Sequence, residues 1–372
     1  MVARGVSMRW IAFMAAAAAS VPIAATAQAP RVGAPLAEAC RSLPVADACG
    51  IVAEATRMLG PSYEGRKATA GVAAFEALGY RTAYIPARAG PLQGVTDVFL
   101  ASRPGTNRLY IVITGTESNR DWIENAKFRS YTSRYKDGQF YVPPGHAGFR
   151  RGMLNIVNDD VIRIDEFDSG PLDCTGDVRR RSRLSRFICE HGLSREPGGI
   201  ETVIVGHSRG AGIGLLMATA FSGLEIVRPV RGGPAEVRRQ AHWPLSLKAV
   251  IAFAPPYAVY RRTDRQLGLD VPPGMPDQWQ ILAREGIPAK TISFLNEQDV
   301  VPLLSLGVGR HFGHRFRIDR HGRTTYEGHE WGPDSDLKRA HSSHHYCTDV
   351  LAALGQSGRC PDRPAPMGGK AP

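Results

Sequence analysis

Ser208 stands between two glycines in the run Gly206-His207-Ser208-Arg209-Gly210, directly after the short β-branched stretch Thr202–Val205. A serine hydroxyl becomes a nucleophile when a base can take its proton and donors can receive the oxyanion it creates. Thr202–Val205 has no polar alternation and reads as a strand covered on both faces. The stretch Ala211–Gly223 carries Ile213, Leu215, Leu216, Met217 and Phe221 and reads as a buried helix. The five residues therefore fall where a strand turns sharply into a helix. Such a turn leaves no room for side chains two positions either side of its apex, and glycine supplies that room. The apex side chain is pushed above the carboxyl end of the sheet, where the first N–H groups of the helix also point. This is the G-x-S-x-G pattern of a nucleophile elbow. Taken alone, five residues also fit a glycine-rich turn that merely packs closely. The strand before and the small-residue helix after favour the catalytic reading.

In an elbow-type site the acid and the base follow the serine along the chain, each on a loop after a later strand. The run "KTISFLN" (290–296) reads as a strand, and Glu297-Gln298-Asp299-Val300-Val301-Pro302 follows it. Asp299 is the candidate acid at the mouth of that strand, with Glu297 as its competitor. The plainer alternative for Asp299 is a turn or helix-capping acid. For the oxyanion, "IVITGTESNRDW" (111–122) ends its strand at Gly115, so the Thr116 backbone N–H lies at the sheet mouth. The Arg209 N–H, next to the nucleophile, is the second candidate donor. Thr116 could instead cap a helix starting near Asp121.

After Asp299 come His311, His314, His321, His329, His341, His344 and His345, so chain order alone does not choose the base. In "AHSSHHYCTDVLAAL" (340–354), Tyr346, Val350, Leu351 and Leu354 recur at helical spacing, so an apolar helix face begins near Tyr346. A base reaches the sheet mouth from the loop entering that helix, which selects His341, with His344 in second place. A histidine-rich helix start that binds a metal, through His341, His344 and His345, is the competing reading.

The elements that must position these groups are apolar strands at 96–103, 108–115, 202–206, 248–254 and 290–296. The last four are continuous rather than alternating, as in a buried, mostly parallel sheet. Helical patterns fall near 50–59, 148–159, 211–223 and 276–286. Strands alternating with helices predict an α/β fold. The first two strands, joined by "PGTN", read as a hairpin at the sheet edge. Residues 160–200 and 224–247 read as surface insertions, and the Pro/Gly-rich tail 361–372 as disordered.

The blocks "ITGTES…DW…N" (113–125), "GHAGF" (145–149), "GHSRG" (206–210), "FAPP" (253–256) and "NEQDVVP" (296–302) together resemble the class 3, fungal-type lipase family. They cover roughly residues 100–350. The resemblance implies an α/β-hydrolase-like fold, a Ser-Asp-His triad and hydrolysis of acyl esters, often triacylglycerol, without a cofactor. Carried over, Ser208 is the nucleophile, Asp299 the orienting acid, and Thr116 with Arg209 the oxyanion hole. The segment His341-Ser-Ser-His-His-Tyr346 resembles the one in which the family's base precedes a tyrosine. His146 and Phe149 match a motif that packs the sheet mouth. Arg209 stands where the family commonly has an apolar residue. The lid candidate, 117–131, has only Trp122, Ile123 and Phe128 among many charges, a weak apolar face for a lipid surface.

The chain's 372 residues leave room for one large domain, expected over 28–360. Arg4 and Arg9, the apolar run Trp10–Ala24 and the small-x-small Ala25-Thr26-Ala27 read as a secretory signal, 1–27, cleaved before Gln28 and leaving a secreted or periplasmic protein. Six cysteines in three near pairs predict local disulfides Cys40–Cys49, Cys174–Cys189 and Cys347–Cys360, as fits an exported chain. No CxxC or CxxH spacing suggests zinc, and no aromatic-interleaved motif suggests nucleic acid. The formal charge of +11 clusters partly in "DVRRRSRLSRF" (177–187), a patch suited to anionic lipid or cell-envelope polymers if it is more than a solvated loop. An acyltransferase or amidase on the same fold would share the acyl-enzyme half of the chemistry. A non-catalytic envelope-binding protein would not need the complete set of candidate catalytic residues.

Overall fold

The computed structural model describes residues 30–64, 68–87, 96–115, 130–131, 145–146, 149, 152–153, 156, 161–167, 170–221, 225–228, 236–239, 242–256, 286–297, 299, 313–328, 343–357 and 360. In chain order its elements are α1 (Leu36–Ala39), α2 (Ala48–Glu64), α3 (Ala68–Ala77), β1 (Arg81–Ala87), β2 (Thr96–Ser102), β3 (Arg108–Ile113), β4 (Ser130–Tyr131), β5 (Gly145–His146), α4 (Arg183–His191), β6 (Ile200–His207), α5 (Arg209–Phe221), β7 (Glu225–Arg228), β8 (Glu236–Arg239), β9 (Leu245–Phe253), α6 (Ile287–Lys290), β10 (Thr291–Asn296), β11 (His314–Ile318), β12 (Thr324–Gly328) and α7 (Ser343–Ala353). Short 3₁₀ turns link some of them.

Eight strands form one sheet in the order β1-β2-β3-β6-β9-β10-β11-β12. The five from β3 to β11 run parallel, and antiparallel strands flank them on both sides. This is the α/β-hydrolase-like arrangement expected from continuous apolar strands alternating with helices. The continuity has a simple cause: both faces are covered. On β3, Leu109, Ile111 and Ile113 join one buried cluster with Leu184 and Phe187 of α4 and Ile213 and Leu216 of α5. Tyr110 and Val112 join the opposite cluster, with Ile51, Val52 and Met58 of α2, Phe75 of α3 and Tyr346 and Val350 of α7. Burial of apolar surface on two sides is the main stabilisation of such a sheet.

Three local expectations change. The β2–β3 hairpin forms, but β1 pairs outside it, so the hairpin is not the edge. Pro86 sits in β1, which an edge strand tolerates because its outward side has no ladder bond to lose. Beyond β10, a second hairpin, β11–β12, extends the sheet, and backbone bonds between Tyr326 and the Gly33–Ala34 segment cover its edge. Residues 160–200 are not only surface. Phe167, Leu172, Leu184, Phe187 and Ile188 are buried against the core, so the segment includes a crossover helix leading to β6. The signal stretch 1–27, the tail 361–372, the helix expected over 276–285 and the lid candidate up to Arg129 lie outside the described residues.

All three disulfides form between near neighbours as the spacing predicts, Cys40–Cys49, Cys174–Cys189 and Cys347–Cys360. At the amino ends of the parallel strands, Glu201 of β6 takes Lys248 of β9 at 2.7 Å and Arg108 of β3 at 3.0 Å. The Lys248 hydrogen bond first, and Arg108 with it, hold the Glu201 carboxyl below its usual range against the opposing effect of burial. That end of the sheet is closed by ion pairs. The carboxyl end carries Ser208 after β6 and Asp299 after β10. No helix among the described residues is long and apolar enough to cross a membrane.

Candidate active site

Ser208 sits between β6 and α5 with φ +56°, a left-handed conformation that costs a non-glycine residue roughly 1–3 kcal/mol and persists only where its surroundings enforce it. The surroundings are the two glycines. A Cβ on Gly206 would lie 2.5 Å from the Ala211 nitrogen, and one on Gly210 would lie 2.2 Å from the Ile113 carbonyl oxygen. Helix α5 therefore packs backbone against backbone on β6 and β3, and no larger residue fits at either position. The Ser208 N–H donates to the Phe253 carbonyl at 2.9 Å, which fixes the apex to β9. Phe149 packs on the same helix: a Cβ at Gly212 would be 2.9 Å from its ring. This agrees with the structural role expected of Phe149; the His146 side chain lies outside the description.

The end of β3 runs tightly beside the elbow. A Cβ on Gly115 would meet the Tyr63 hydroxyl at 2.2 Å, the His207 carbonyl at 2.9 Å and Ser208 Cβ at 3.2 Å. Thr116, the next residue, lies outside the described residues. Arg209 opens α5, where the first N–H groups are not consumed within the helix. Its side chain turns inward. It is buried, and Nη2 donates to Thr96 Oγ1 of β2 at 3.3 Å. The charge that departs from the apolar pattern thus lies under the sheet mouth, with its stem in the core.

Asp299 and Glu297 are separated cleanly. Glu297 accepts from Arg317 at 3.2 and 2.7 Å and from the Arg320 N–H at 2.6 Å, so it belongs to an ion pair with β11. Asp299 is buried and accepts from the Tyr346 hydroxyl at 2.9 Å. The same hydroxyl accepts the Asn296 N–H at 2.9 Å. Burial first, then the Asp299 charge, pushes the Tyr346 phenol well above its ordinary pKa, so it remains a donor to the carboxylate. Ladder register relates the strands that carry the two groups. His207 pairs with Phe253 across β6–β9, and Phe253 with Phe294 across β9–β10. Ser208 and Asp299 therefore lie past the carboxyl ends of strands two ladder spacings apart, about 10 Å at about 4.8 Å per spacing.

No protein-family model matches the chain, and no curated protein matches it. Among solved structures it is similar to the triacylglyceride lipase of Rhizomucor miehei, at 16% identity and TM-score 0.46, over 80% of this chain and 91% of that one. It is also similar to a lipase from Rhizopus microsporus var. chinensis, at 13% identity and TM-score 0.45, over 90% and 93%. A triacylglycerol lipase from Penicillium expansum aligns at 14% identity and TM-score 0.44, over 76% and 84%. Likeness at this level assigns no activity to this chain, so the chemistry rests on its own residues.

Helix α7 buries Tyr346, Cys347, Val350 and Leu351, as the apolar spacing predicts. His341 lies outside the described residues, two positions before the helix starts at Ser343. Three aromatic residues near the site have no sequence signature as functional groups. Tyr346 reads as one member of an apolar stripe, although a tyrosine there carries a polar tip that needs a partner. His207 and Tyr63 meet through Nδ1 and the hydroxyl at 2.5 Å, and the Gly115 N–H donates to that hydroxyl at 3.1 Å. Nothing in the N-terminal stretch marks Tyr63. Tyr346→Phe tests the support of Asp299. It removes one bond to a charged group and leaves the Asn296 N–H without that acceptor, so kcat is expected to fall about tenfold with a stability loss of about 1–3 kcal/mol. Steady-state kinetics and thermal melting read the two effects.

Proposed function

We propose that the protein is an exported serine carboxylester hydrolase, lipase-like, acting on acyl esters or lipids through an acyl-enzyme intermediate, with residues 28–360 as its catalytic unit. The observation that carries this reading is the left-handed Ser208 between two glycines that admit no Cβ, at the same end of the sheet as a buried, tyrosine-bound Asp299. In this reading Ser208 Oγ attacks the acyl carbon while His341 takes its proton. Asp299 holds the imidazole in the correct tautomer and stabilises its charged form. The Thr116 and Arg209 N–H groups receive the oxyanion. Collapse of the tetrahedral adduct expels the alcohol, which leaves with the proton from His341. Water then attacks the acyl-enzyme, giving up its proton to His341, and release of the carboxylic acid regenerates Ser208. No cofactor takes part. The three local disulfides support a site of action outside the reducing cytoplasm. Cleavage of the signal after Ala27 is part of this proposal and rests on the sequence alone.

The test is product analysis on matched ester, thioester and amide substrates, with fluorophosphonate labelling of the purified protein. Ester cleavage to free acid, blocked by the label, supports the reading. A protein that neither labels nor cleaves any of the three is a binder, and transfer of the acyl group to an added alcohol in preference to water makes it an acyltransferase.

A further inference from the structure

Resting on the ester-hydrolase reading, we propose that Tyr63 is a positioning residue of the acyl-transfer site, its hydroxyl clamping the end of β3 to the nucleophile elbow. Regular pairing between β3 and β6 ends at Ile113–Gly206. Beyond that pair the two chains part: one proceeds through Gly115, the other turns at Ser208. The Tyr63 hydroxyl joins them where the ladder stops. It accepts the Gly115 N–H at 3.1 Å and meets His207 Nδ1 at 2.5 Å, with the two rings edge to face at 5.5 Å. A phenol has one proton and two lone pairs, so it can accept from Gly115 and still donate to the imidazole.

The phenol oxygen also helps to exclude a side chain at 115. The point where a Cβ would sit is 2.2 Å from that oxygen and 3.2 Å from Ser208 Cβ. Hydroxyl, glycine and nucleophile thus share one small volume, closed also by the His207 carbonyl 2.9 Å from the same point. Tyr63 reaches this place from near the end of α2, a helix otherwise packed on the sheet through Ile51, Val52, Met58 and Leu59. Those residues bury the helix without a polar tip at the sheet mouth. A hydroxyl at this junction has a further consequence. The Gly115 peptide precedes Thr116 in the chain, so its orientation sets where the proposed oxyanion donor begins. Misplacement of about 1 Å in such a group is enough to cost about 10²-fold in rate.

The test compares wild type with Tyr63→Phe, which keeps the ring and deletes the oxygen. Hydrolysis of a p-nitrophenyl ester is measured per active site, with sites counted by fluorophosphonate titration. The expected result is a fall in kcat of about 10- to 100-fold with KM changed less than about twofold. A hydroxyl that only stabilised the fold would lower the count of active sites or the melting temperature and leave kcat per site intact; that outcome overturns the proposal. A raised KM with unchanged kcat also overturns it, by making Tyr63 a substrate contact. Gly115→Ala crowds the same hydroxyl but also the His207 carbonyl and Ser208 Cβ, so it is read against the double variant with Tyr63→Phe: kcat losses that are less than multiplicative support the clamp, and fully multiplicative losses overturn it. If wild type shows no hydrolysis that depends on Ser208, the ester-hydrolase reading is what fails, and the clamp falls with it.

Discussion

Ester hydrolysis by Ser208→Ala is expected to drop by about 10⁴-fold or more, to the level that binding and oxyanion donors alone support. The change is small in shape. Alanine keeps the Cβ and loses only Oγ, so the turn between β6 and α5, fixed by the Ser208 N–H on Phe253 and by the two glycines, should stay as it is. A preserved melting profile with lost activity would separate chemistry from folding. Mass spectrometry after fluorophosphonate treatment of the wild type should place the adduct on the peptide containing Ser208. Full hydrolysis by the alanine variant, or an adduct elsewhere, would sink the assignment.

His341→Ala is the second change expected to cost several orders of magnitude, because members of a triad act as a unit. The argument comes from what α7 is tied to. Tyr346 holds the helix to Asp299 through its hydroxyl, so the start of α7 lies beside the acid. His341 stands on the approach to that start. Position 344 lies inside the helix rather than on the loop that enters it. His341→Ala, His344→Ala and His345→Ala should therefore differ sharply in kcat, with only the first inactive. Activity retained by His341→Ala and lost by His344→Ala would reverse the assignment. Loss of wild-type activity on adding a chelator would instead favour the histidine cluster as a metal site.

Much of the sheet was legible because parallel strands buried on both faces leave an unbroken apolar signal: β3, β6, β9 and β10 lie where Leu109–Ile113, Thr202–Val205, Ala249–Phe253 and Ile292–Leu295 say they should. The strands missed are those whose pattern is mixed. β11 carries Arg315 and Arg317, and its buried Arg315 gives no apolar mark; β1 holds Pro86. The elbow was legible for a steric reason, since two glycines flank a serine only where side chains do not fit. The sequence alone already favours Asp299, at the strand mouth and by resemblance; what it does not show is the partners, Arg317 on Glu297 and Tyr346 on Asp299. Tyr63 was invisible because its part depends on where one oxygen ends up after α2 packs. No spacing encodes that.

The three disulfides join cysteines 9, 15 and 13 positions apart, and no pair is interleaved with another. In the export proposed above, a chain threaded outward from its N-terminus would present each cysteine's partner before any cysteine of the next pair appears. Pairing order is emergence order, and an oxidase acting on the advancing strand can complete the set without a shuffling enzyme to undo wrong links. The last of the three links, Cys347–Cys360, closes beside Tyr346, whose hydroxyl bonds Asp299. A reduced chain reoxidised all at once loses this temporal sorting and is expected to give scrambled peptide maps in proportion to how unfolded it is when the oxidant arrives.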